Sequence, residues 1–274
     1  MSRIKLPRVI AALLVPFLLA AGLILFILPG RTEEFFAWTI QPALTPLVMG
    51  AGYLSGAYFF IRAALEKEWE SVRLGFLPIT AFTWLSAAAT LIHWDRFNYN
   101  HITFYAWVAL YAITPVLVPA IWWMNHSNPS LRKDSPPDIS TPVAYLMGIV
   151  GALTLLTGLV LFVMPELLIP VWPWTLTPLT ARVIGSWFTL PGLVDLGIAV
   201  NRRWRNVRLV LESQLVGLAL ILVGLMRGLG DLQLNNPLAW GFIAAISLLA
   251  LGLLLFYVSR RRNGQVGELK TSRR

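Results

Sequence analysis

The chain has 274 residues, 57% of them hydrophobic and only 13% charged, with a net charge of +9 and no cysteine. Soluble domains carry about 25% charged residues, so this composition excludes an ordinary soluble domain. The absence of cysteine excludes a disulfide framework, a thiolate nucleophile and a Cys-ligated metal or cluster.

The apolar residues fall into eight blocks, near 9–29, 43–64, 74–93, 102–124, 142–164, 178–200, 208–227 and 237–258. Helices of about 20 such residues cross a bilayer. The first block follows Arg3, Lys5 and Arg8, the start of a signal peptide, but its apolar run continues through Phe26 to Leu28. Signal peptides carry about 7–15 apolar residues, so a retained first helix is expected. Pro29 ends it, since proline cannot continue a helix. Twelve largely apolar residues then lead to Pro42, and twelve more separate Pro165 from Pro178. These connectors, with Phe35, Phe36 and Trp38 in one and Trp172 and Trp174 in the other, are too short to span. They are expected to lie in the outer interface, as aromatic anchors at the headgroups or as lips over an outer vestibule. Thr177-Pro178 predicts an N-cap followed by proline at the first helical position, and Thr141-Pro142 and Asn236-Pro237 open helices in the same way.

Two stretches of the chain match. "AGLILFILP" at 21–29 and "TGLVLFVMP" at 157–165 share Gly, Leu, Leu, Phe and Pro at an offset of 136. Trp38, Thr39 and Pro42 match Trp174, Thr175 and Pro178 at that offset; Gly50 matches Gly185, and "WESVRL" matches "WRNVRL", one residue closer. The expected fold class is an all-α integral membrane protein, eight transmembrane helices arranged as two tandem four-helix units. Four is even, so both units enter from the same side, related by a pseudo-twofold axis along the membrane normal. The units are expected over 1–124 and 142–260, joined by a polar cytoplasmic linker, 125–141, and followed by a basic tail, 261–274.

With the N-terminus inside, 18 of the 22 basic residues fall on cytoplasmic flanks and only Arg31, Arg96, Arg182 and Arg227 fall outside. That sorting is the positive-inside pattern, and it places both termini in the cytoplasm of a prokaryotic inner membrane. The basic residues are scattered over five flanks without an aromatic platform, which argues against nucleic acid. On this topology the glycosylation pattern at Asn125-His126-Ser127 faces the wrong compartment.

Candidate ligand-binding residues are Asp195, Glu212, Trp38 and Trp174. Carboxylates in a span cost about 2.5–3.5 kcal/mol at mid-membrane, so each needs a partner or a task. Glu212 stands four residues after Arg208 and can pair with it; Asp195 can meet the arginines that follow its own helix. The matching positions of the first half are apolar, Phe60 and Leu77. Pro191-Gly192, Pro115 and Pro119 predict kinks, and Gly52-xxx-Gly56 and Gly224-xxx-Gly228 have the spacing of close helix contact. His93, Asp95 and His101 form an outer polar cluster without helical register.

No Walker loop, dinucleotide glycine motif, nucleophile elbow or HExxH is present. No cofactor or metal is expected, and the partners are the lipid bilayer and a membrane protein or second copy. The leading functional expectation is a small transporter or permease-like protein for an apolar or weakly polar ligand. A non-catalytic accessory or assembly subunit is the alternative, and an intramembrane enzyme at the outer interface is the third. A carrier requires a polar cavity between the halves, an accessory subunit a dry and filled interface, and an enzyme convergence of the outer histidines with Asp95.

Overall fold

A computed structural model describes residues 5–126 and 138–271, with side chains over 6–126 and 138–261. Most of the expected linker, the end of the tail and the glycosylation pattern's Ser127 lie outside the described residues. Among those described there is no strand.

Among the described residues ten α-helices follow in order: α1 (Lys5–Ile27), α2 (Thr32–Phe35), α3 (Leu44–Leu65), α4 (Trp69–Ile92), α5 (Ile102–Asn125), α6 (Thr141–Val163), α7 (Pro165–Leu168), α8 (Pro178–Val200), α9 (Trp204–Arg227) and α10 (Pro237–Thr271). All but α2 and α7 are long and apolar enough to cross a membrane, and the chain is a polytopic membrane protein. α4 and α9 begin four or five residues before the predicted blocks, because the polar stretches "WESVRL" and "WRNVRL" are already helical.

Local chemistry sets the ends. α1 stops two residues before Pro29 and α6 two before Pro165. Thr177 caps α8 as predicted: its side chain accepts from the Thr180 N–H at 3.2 Å, while the Thr180 hydroxyl accepts from the Thr177 N–H at 2.9 Å. Asn236 caps α10, its side-chain oxygen accepting from the Leu238 N–H at 2.9 Å. At α6 the cap position belongs to Ser140, one residue earlier than predicted. Pro16, Pro78, Pro115, Pro119 and Pro191 all lie inside continuous helices.

α3, α4, α8 and α9 form the centre. α3 packs on α9, α4 on α8 and α4 on α9; α1 then covers α3, α6 covers α8, α5 lies on α4 and α10 on α9. The α3 span is 61% buried and that of α10 only 6%. Outward leucines such as Leu13, Leu153 and Leu248 are exposed, which suits helices bathed in hydrocarbon.

Lipid tails supply no hydrophobic drive between helices, so close packing and polar contacts must hold the bundle. Glycines mark the tightest crossings. A Cβ on Gly185 would stand 2.6 Å from the Gly158 carbonyl oxygen, and one on Gly50 2.8 Å from the Phe26 nitrogen and 3.1 Å from the Gly22 oxygen. Arginines tie down helix ends. Arg8 donates to the Ala64 carbonyl at 2.7 Å. Arg227 donates to Phe26 and Ile27 carbonyls at the end of α1. Cations at helix C-termini also meet the negative end of the helix dipole.

Candidate functional site

Glu212, just over two turns into α9, draws three helices together. Its Oε1 accepts from Arg208 Nε at 2.8 Å and the Tyr257 hydroxyl at 2.6 Å. Its Oε2 accepts from Arg62 Nη1 at 2.8 Å and the Tyr58 hydroxyl at 2.9 Å. The i,i+4 pairing with Arg208 was legible in the sequence. Tyr58 and Arg62 on α3 and Tyr257 on α10 were not: Tyr58 and Arg62 share a helix face at i,i+4, but nothing in the sequence says that this face meets Glu212.

Arg62, Arg208 and Glu212 form one wall of a cleft of about 350 Å³ at the arginine-rich end of the bundle, lined also by Glu66, Glu68, Ser71, Trp204, Arg205 and Leu209. Glu68 is ion-paired with Arg205. Next to Glu212 along α9, Ser213 joins α3: the Ser55 hydroxyl donates to the Ser213 carbonyl at 2.7 Å and the Ser213 hydroxyl to the Ser55 carbonyl at 2.9 Å.

Asp195 is elsewhere. It does not line the cleft and is 7% exposed. Its Oδ1 accepts from Gln214 Nε2 of α9 at 2.9 Å. The expectation that the arginines after α8 would satisfy it needs correcting. Arg202 instead turns to the start of α6, donating to the Ile139 carbonyl at 2.9 and 2.7 Å and to the Thr141 hydroxyl at 2.9 Å. The Gln214 Oε1 is buried without a hydrogen-bond partner. The two intramembrane carboxylates therefore serve separate places.

Trp38 and Trp174 are 3% and 0% exposed, so neither ring faces lipid or forms a lip over open space. The hairpin turns beyond the connectors explain why. The Asn98 N–H donates to the Ala37 carbonyl at 2.8 Å, and the Gln233 N–H to that of Pro173 at 2.9 Å, folding each turn over its connector. Trp38 stacks edge-on against Trp107 at 4.8 Å and Phe97 at 5.2 Å; Trp174 meets Phe242 at 5.3 Å and Trp172 at 5.4 Å.

His93, Asp95 and His101 do not converge. His93 Nε2 accepts from Arg182 Nη1 at 3.0 Å, Asp95 pairs with Arg96 at 3.1 Å, and His101 Nδ1 bonds the Thr103 hydroxyl at 2.8 Å. Burial, then the Arg182 guanidinium, hold His93 below the usual histidine range; Asp95 opposes the shift and Arg96 adds to it. Among the described residues no three His, Asp or Glu side chains come together as metal ligands would.

Hydroxyl and ring contacts cross the middle of the bundle. The hydroxyls of Tyr53 and Tyr111 lie 2.9 Å apart and those of Ser86 and Ser186 3.1 Å apart. The Trp187 ring occupies the space beside Gly52 and packs against Phe82 at 4.5 Å. Gly52 thus makes room for an aromatic ring rather than for another helix's backbone.

Comparison with known proteins assigns nothing further: no family model, no curated protein and no solved structure matches the chain.

Proposed function

We propose that this protein is a non-catalytic membrane subunit, a closed helical scaffold, rather than the carrier that the sequence first suggests. One observation carries the reading. The centre is plugged at successive levels by Ser55–Ser213, Ser86–Ser186 and Tyr53–Tyr111 hydroxyl contacts and by the Trp187 ring. A carrier for an apolar ligand needs a path there. The cleft beside Glu212 favours a carrier, but Asp195, the other intramembrane carboxylate, does not line it.

The scaffold is proposed to consist of two tandem four-helix units about a pseudo-twofold axis along the membrane normal. Support comes from the packing, in which α1 on α3 and α6 on α8 correspond, as do α5 on α4 and α10 on α9, and α3 on α9 and α8 on α4. The backbone bonds Asn98–Ala37 and Gln233–Pro173 correspond in the same way. The arginine-rich end is assigned to the cytoplasm of a prokaryotic inner membrane, with both termini there, by the positive-inside pattern. The partners are lipid and, in this reading, a membrane protein or second copy.

The native chain contains no cysteine, so single cysteines report access without background. With Ser86→Cys and Ser186→Cys, a membrane-impermeant maleimide added from either side is expected to leave both unlabelled, while Glu66→Cys in the cleft reacts. Labelling of either central position would restore the carrier. Reporter fusions at the two ends found on opposite faces would overturn the topology.

A further inference from the structure

The Glu212 carboxylate carries one negative charge, yet two guanidiniums rest on it. Arg208 engages it through Nε and Arg62 through Nη1, so each keeps further N–H groups that Glu212 does not take. Arg62 and Arg208 are 39% and 46% exposed, and both line the cleft. Their positions are set in advance, because the carboxylate holding them is itself fixed by Tyr58 and Tyr257. Two planar donor forks converging on a cleft match the oxygens of a phosphate group, which guanidinium binds in bidentate fashion.

Charge and depth narrow the ligand. Two positive charges face one carboxylate at the arginine pair, whereas Glu66 and Glu68 bring the whole lining to three arginines against three glutamates. That balance disfavours a dianion and suits a singly charged phosphodiester. The cleft lies where α3 and α9 reach their ends, at Leu65 and Trp204, the level at which headgroups stand. Trp204 and Leu209 give it an apolar flank.

We propose that the cleft between α3 and α9 binds the phosphodiester of an anionic phospholipid through Arg62 and Arg208. This goes beyond the scaffold reading and does not depend on it. Soluble phosphate esters share the chemistry, so the test separates the sources. The purified full-length protein in detergent is titrated with short-chain phosphatidylglycerol, short-chain phosphatidylcholine and inorganic phosphate, and binding is read by thermal shift.

Phosphatidylglycerol is expected to bind several-fold more tightly than phosphatidylcholine, and inorganic phosphate not to bind at the same concentration. The double variant Arg62→Lys/Arg208→Lys keeps both charges on Glu212 but loses the forks, and should weaken phosphatidylglycerol binding about tenfold. Among the described residues the Glu66 carboxylate accepts only the N–H of its neighbour Lys67, so it can be changed without touching the Glu212 cluster. Glu66→Gln should tighten binding. Unchanged affinity in either variant, or inorganic phosphate binding as tightly as the lipid, would overturn the proposal.

Discussion

The indole N–H of Trp174 donates to the hydroxyl of Thr45 at 2.9 Å, joining the second connector to the first turn of α3 across 129 residues of sequence. Both partners are fully buried. Trp38 occupies the matching place in the first connector, yet its indole N–H is buried without a partner. Trp174→Phe should therefore cost about 1–2 kcal/mol more than Trp38→Phe, because it also strands the Thr45 hydroxyl. Thermal unfolding of the two variants in the same detergent checks the difference; equal losses would show that the hydrogen bond contributes nothing.

Glu212 is a stability determinant by the same logic on a larger scale. Removing a carboxylate that holds two arginines and two tyrosine hydroxyls leaves paired charges stranded. Glu212→Ala is expected to cost about 1–3 kcal/mol, because Arg62 and Arg208 are partly exposed and water can reach them. Glu212→Gln should cost less, since its single carbonyl oxygen still accepts.

Asp195 gives the opposite expectation. An asparagine there keeps an oxygen for Gln214 Nε2 and adds an N–H that can reach the orphaned Gln214 Oε1. Asp195→Asn should leave the melting temperature unchanged or raise it. A fall of several degrees would mean that the charge itself is required.

His93 makes its end of the bundle acid-sensitive. Its Nε2 accepts from Arg182, which only the neutral ring can do. Because burial and Arg182 hold its folded value down, the unfolded chain binds the proton more readily. Stability is therefore fully present above the ordinary histidine value of about 6.5 and falls as pH drops through it, levelling off below the folded value. Melting temperatures between pH 8 and pH 5 should show this loss. His93→Gln, whose carbonyl can accept from Arg182 at every pH, should flatten the curve.

Glycine substitutions separate tight crossings from open faces. Gly185→Ala would drive a methyl into the Gly158 carbonyl, while at Gly241 on α10 nothing stands within 4 Å. The first is expected to cost about 1–3 kcal/mol by overpacking. The second should be neutral or slightly favourable, since alanine suits a helix better than glycine.

Much of the candidate site was hidden from sequence reasoning for one physical reason. Arg208–Glu212 is a pair within one helix, and a fixed 3.6-residue turn makes such pairs readable. Tyr58 and Tyr257 reach the same carboxylate from α3 and α10, and Gln214 meets Asp195 from α9, through helix rotations that no spacing encodes. The connectors' tryptophans were misjudged because aromatic enrichment is the same whether a ring faces lipid or a neighbouring turn.

By itself the sequence determined that eight helices can cross a bilayer, where prolines and caps end them, and which letters recur along the chain. These follow from apolar length and local backbone chemistry, which depend on neighbours a few residues away. Only the tertiary structure decided which hydroxyls and rings meet in the middle of the bundle, that Asp195 and Glu212 serve different places, and that Gly50 and Gly185 mark close crossings. Those outcomes depend on how each helix is turned about its axis. In a lipid solvent that rotation is set by the fit of small residues and the pairing of buried polar groups, not by hydrophobic pattern.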